Sequence, residues 1–179
     1  MQNSTSQHPT PTVARRLVCM IYDTLLFAAV EMLALALFMI ITQNQHSSLL
    51  DAVRAMVFVI AAGAYFIYSW TNSGHTLAMK TWRIAVFPAS GPGRLSARAA
   101  LLRFVFAWGW VAPGLLLIHA LKLVASRDGN RYAALGILAA NILAWALSAY
   151  LDPDRQFLHD KLAGTRLVLL PARGAKAPA

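Results

Sequence analysis

Residues 15–41 read RRLVCMIYDTLLFAAVEMLALALFMII. From Leu17 to Ile41 nearly every residue is Leu, Ala, Val, Ile, Met or Phe, and the run exceeds the roughly 20 apolar residues a helix needs to cross a bilayer. Arg15 and Arg16 stand directly before it, and Asp23 and Glu31 lie inside it. An ionisable group within a span costs at least about 2.5 kcal/mol on insertion scales and reads by default as functional. The stretch predicts a membrane helix with a basic collar and two intramembrane acids.

Three more apolar blocks follow: Ala52–Trp70, Leu101–Leu121 with Pro113 beside Gly114, and Tyr132–Leu151 with Asn141 and Trp145. Each can span as a helix that satisfies its own backbone, and Pro113 should kink the third. Arg103 and the paired Trp108 and Trp110 would also suit an interfacial helix for that block. The chain is 58% hydrophobic with mean hydropathy +0.54, above the roughly 45–50% of soluble domains. The fold class read from this is an all-α membrane protein: a four-helix transmembrane bundle with a small cytoplasmic strand pair.

The net charge of +9 fits a nucleic-acid partner poorly, because the positives lie between apolar blocks and not along one face. Four spans put both termini on one side. That side holds twelve of the Lys and Arg residues, against four (Arg54, Lys122, Arg127, Arg131) on the other, so both termini read as cytoplasmic. Residues 1–14 and 171–179 read as disordered tails around a folded domain at 15–170. Cys19, the single cysteine, can form neither an internal disulfide nor a metal cluster.

Between the second and third blocks, Trp82–Phe87 is β-prone and ends at Pro88. Arg83-Ile84-Ala85-Val86-Phe87-Pro88-Ala89 is echoed by Arg166-Leu167-Val168-Leu169-Leu170-Pro171-Ala172. Two apolar segments on one membrane face are expected to pair as strands, since either alone would be an exposed edge.

Three motifs occur in order: Arg16 seven residues before Asp23, then Gly74-His75-Thr76-Leu77-Ala78-Met79-Lys80, then Gln156-Phe157-Leu158-His159-Asp160-Lys161. Together they resemble the RDD family of bacterial membrane proteins, named for an arginine and two aspartates. The resemblance runs from about Arg15 to Val168. It assigns the named residues to Arg16, Asp23 and Asp160, and the Gly-x-Thr-x-x-x-Lys motif to Gly74, Thr76 and Lys80. The family commonly has Gly before that lysine. Met79 stands there, which removes the glycine a tight turn would use. The resemblance implies a small helical domain in the bacterial inner membrane and suggests transport, with cation/proton exchange in some members.

The residues themselves narrow the roles. Arg16 is expected to snorkel to lipid phosphate. Asp23 needs a partner, with Arg103 and Lys80 as candidates, and reads either as a structural ion pair or as a transport acid. Glu31, about 12 Å deeper along the helix, would be a protonated donor to Asn141 or Ser69, or a proton relay. Asp160 should cap a turn or pair with a cytoplasmic arginine, and its neighbour His159 has no nucleophile with which to form a catalytic set. Neither enzyme activity, a cofactor nor a metal is expected. The expected partners are membrane lipid and either further copies of the chain or another membrane protein. The leading function is a small transporter or transport accessory. The alternative is a scaffold or assembly factor in which Arg16, Asp23 and Asp160 only lock the fold.

Overall fold

The computed structural model describes residues 9–43, 45, 47–124 and 130–171; most of both sequence-predicted tails lies outside them. Helix α1 spans Val13–Ile41, opened by Thr12, whose side chain accepts from the Arg15 N–H. Helix α2 spans Ser48–Asn72 under a Ser47 cap, with Asp51 in the first turn where the helix dipole favours an acid. A later helix, Arg131–Leu147, begins at an Asn130 cap and runs through a 3-10 turn to Leu151. These three are long and apolar enough to cross a membrane. Leu33, Ile40, Ile60 and Leu135 stand more than 60% exposed on them, as side chains facing lipid would.

The sequence predicts four spans; three single helices have that length among the described residues, and the remaining apolar block is a bent helix pair. Helix α4, Ala97–Ala107, continues as a 3-10 turn to Trp110, and α5, Ala112–Ala120, leaves at 45°. The break falls at Val111 and not at Pro113, because proline fits the first turn of a helix, where its missing N–H is no loss. That missing N–H deprives the Gly109 carbonyl of its helical donor. Asn141 of the Arg131–Leu147 helix, α6, supplies one: its Nδ2 donates to Gly109 O at 3.2 Å and to Trp110 O at 2.7 Å. A Cβ at Gly109 would overlap the Trp145 ring, and one at Gly114 would come within 3.2 Å of Asn141 Cβ. The two glycines thus let α6 approach the break.

At one end of the bundle sits a cap of two short helices, α3 (Leu77–Thr81) and α7 (Leu158–Leu162), and two strands, β1 (Ile84–Pro88) and β2 (Thr165–Leu169). The strands pair antiparallel, Ile84 opposite Leu169 through Pro88 opposite Thr165. The echoing segments do meet, but Trp82 and Arg83 form a turn, with Arg83 at φ 55°, so β1 begins one residue later than the echo. Both outer edges are closed. Val86 N–H donates to Gly74 O at 2.8 Å on one side. On the other, the Gln156 amide takes the Leu167 N–H at 2.9 Å and gives to its carbonyl at 3.3 Å. Leu169 N–H reaches Pro9 O at 2.8 Å, so residues 9–12, which the sequence assigns to the tail, lie against the sheet.

Each helical leg has one end in this cap. The start of α1 meets β2 through Pro9, and the end of α2 contributes Trp70 and the Gly74 carbonyl. The start of α4 contributes Ala100 and Arg103, and the end of α6 contributes Trp145 and Ser148. Cys19, Trp70, Met79, Ile84, Val86, Leu95, Ala100 and Leu167 form the cap's core. Trp70, the last residue of the second apolar block, is buried here.

Candidate functional site

Arg16 does not snorkel. It is 1% exposed, its guanidinium stacks 4.4 Å over the Phe157 ring, and its Nη2 donates to the Arg155 carbonyl. Arg155 lies at φ 52° in the tight turn after α6, closed by its N–H to Asp152 O at 2.9 Å. The reason for the correction is geometric: Phe157 and the 152–155 turn cover the first turns of α1 and leave the side chain no route outward.

Asp160, fully buried, pairs with Arg103 Nη1. Arg103 Nη1 also donates to Thr165 Oγ1 at 3.1 Å, and that hydroxyl donates to the Asp160 carbonyl. The Arg103 guanidinium lies 4.8 Å over Trp70. Trp145 Nε1–H donates to His159 Nδ1 at 3.3 Å, which puts the ring proton on Nε2, 3.6 Å from Asp160 Oδ1. Burial, reinforced by the charges of Arg103 and Arg16, holds His159 well below its ordinary pKa, so the imidazole is neutral. At the rim, burial opposes the charge on Asp152, but hydrogen bonds from Lys161 and the Gln156 N–H outweigh it and keep that carboxyl below its ordinary range.

Asp23 takes neither of the cations proposed for it. Its Oδ2 accepts from Thr76 Oγ1 at 2.9 Å, and the same Thr76 oxygen caps α3 by accepting from Met79 N–H at 3.1 Å. Arg103 is engaged with Asp160, and Lys80 is exposed on α3. The Tyr65 hydroxyl, also buried, stands beside Asp23 as a second hydroxyl partner. Gly74 sits at φ 73° at the end of α2, where a side chain would be strained, and aims its carbonyl at β1. Met79 is helical and buried in the cap core, so no tight turn occurs there.

Arg16, Asp23, Arg103 and His159 line one cavity of about 370 Å³, whose other walls are largely apolar and aromatic, with Phe27, Phe58, Phe66, Trp70 and Trp108 prominent. Asp160 stands behind Arg103 and does not line it. Glu31 lies outside this group. It is 4% exposed, and both carboxyl oxygens lack a partner. The two partners suggested for it are used elsewhere, Asn141 on the helix break and Ser69 on Tyr65 O. Among the described residues no three His, Cys, Asp or Glu side chains gather to hold a metal. The sequence reading missed Thr165 and the edge-closing role of Gln156.

The RDD family model matches residues 10–164. That range contains Arg16, Asp23 and Asp160 and stops just before β2, so the strand that completes the cap lies beyond it. No curated protein and no solved structure matches the chain. Its apolar helices and this match together mark a membrane protein, and the chain belongs to the RDD family.

Proposed function

We propose that this chain is a four-span protein of the bacterial inner membrane with both termini cytoplasmic, and that it acts as a small transporter or transport accessory. The broken α4–α5 pair counts as the third span in this reading, since all four legs have one end in the cap. The cap side carries the larger share of Lys and Arg, which supports a cytoplasmic cap. The observation that carries the function is the contrast between the two family aspartates. Asp160 is closed off behind Arg103 in a salt bridge, whereas Asp23 lines a cavity and is held by the hydroxyls of Thr76 and Tyr65, with no cation in contact among the described residues. Asp23 is then the acid whose proton or bound ion the cycle moves. Four legs enclose little volume, so we assign the path to an oligomer.

The test is proton and cation flux in liposomes, with wild type and Asp23→Asn compared at equal protein level. A transport acid gives a folded, abundant mutant without pH-dependent flux. The Arg103–Asp160 pair supports the second reading, a non-enzymatic scaffold, for which Asp23→Asn would retain whatever flux the wild type shows.

A further inference from the structure

The buried charges of the cap do not balance by contact. Arg16 is 1% exposed, yet it makes no salt bridge among the described residues, and its Nε and Nη1 have no hydrogen-bond partner. Arg103 gives Nη1 to Asp160 and Thr165, and its Nε is likewise left over. A guanidinium out of water with idle donors is costly unless something anionic meets it. Both arginines border the same cavity of about 370 Å³. That space exceeds what a water or a bare ion needs, and its aromatic walls suit an apolar body.

We propose that this cavity binds an amphiphilic organic anion. Its phosphate or carboxylate meets the idle donors of Arg16 and Arg103, and its apolar part lies along Phe27, Phe58 and Phe66. Asp23 is seven residues from Arg16, about 10 Å along α1, and its charge acts on Arg103, so the acid group of the ligand sits on the Arg16 side of the cavity. Such an anion comes either from a lipid of the surrounding membrane or from a soluble amphiphile. The inference rests on the reading above in one respect, that this cavity is the working site.

Binding is measured at equilibrium on the purified full chain in neutral detergent, by native mass spectrometry and by the shift in melting temperature. The probes are phosphatidylglycerol, phosphatidylcholine, dodecanoate, dodecanol and inorganic phosphate. Phosphatidylglycerol or dodecanoate is expected to bind at about one per chain and to stabilise the fold by mass action. The matched probes without net negative charge, phosphatidylcholine and dodecanol, should bind at least about tenfold more weakly, a difference of ~1.4 kcal/mol. Phosphatidylglycerol alone identifies a lipid, and dodecanoate alone a soluble anion. Ala62 is 2% exposed and borders the cavity, so Ala62→Phe fills it without changing charge and should lose binding, as should Arg16→Gln. Equal binding of charged and uncharged probes overturns the proposal on wild-type protein alone. So does inorganic phosphate binding as tightly as dodecanoate, or full binding by a folded Ala62→Phe. Because no gradient is used, a chain that binds anions but shows no flux upholds this inference and removes the transport reading. Cation flux without anion binding does the reverse.

Discussion

Asp160 has surrendered all contact with water, and Arg103, Thr165 and His159 surround what is left of it. Asp160→Asn leaves the Arg103 guanidinium buried without its counter-charge, and breaking such a pair costs ~3–5 kcal/mol. A fall in detergent melting temperature and in folded yield is expected. Converting both partners to apolar residues, Arg103→Met with Asp160→Leu, should recover much of it; a double variant as unstable as the single one would contradict the ion-pair account. His159 gives a pH signature. Its pKa is depressed by burial and by Arg103 and Arg16, so the unfolded chain takes up the proton first. The stability it contributes is full above the unfolded value of about 6.5 and falls as the pH drops below that. Melting temperature should decline from about pH 6.5 downward, and His159→Gln should flatten that limb. A charge amid apolar residues made Asp23 and Arg103 conspicuous in the sequence, and the family resemblance marked Arg16, His159 and Asp160. Neither could reveal who pairs with whom. Thr76 reaches Asp23 across 53 positions, and only the stacking of α3 on α1 decides that contact.

Helix α4 shows how much of an element a pattern can foretell. Pro113 and Gly114 announced an interruption, yet its place and its repair depend on Asn141 from another helix, which no local window contains. Asn141→Leu strips donors from Gly109 and Trp110 carbonyls, at roughly 1–3 kcal/mol for an unsatisfied buried group. The variant should melt lower. Adding Pro113→Ala, which restores an N–H for Gly109, should return part of the loss; no recovery would show that Asn141 matters for another reason. The strand echo was legible because β-branched and apolar residues before a proline are a strong local signal. Its edges were not, since Gln156 closes β2 with a side chain. Gln156→Ala should cost roughly 1–3 kcal/mol through the buried Leu167 amide, read as faster hydrogen exchange at Leu167.

At the scale of the whole molecule, hydropathy located the three membrane-length helices among the described residues, because burial in lipid demands a long apolar run regardless of tertiary detail. It could not tell a straight helix from the bent α4–α5 pair. Under the proposed topology, cysteines introduced at Ser4 and Ala177 should react only with reagents that reach the cytoplasm. One at Gln45 should react with impermeant reagents from outside. External labelling of either terminal position would dismantle the four-span arrangement.

Arg16 Nη2 and the Pro9 carbonyl meet the Arg155 carbonyl and the Leu169 N–H, partners synthesised almost a full chain length later. During biosynthesis the first helix therefore waits in the membrane with its arginine unmet until the last strand emerges. A chain cut before Gln156 lacks both the Phe157 ring that covers that arginine and the strand that completes the sheet. The joint thus ties the first helix to a segment made after every other leg of the bundle, so the cap closes last.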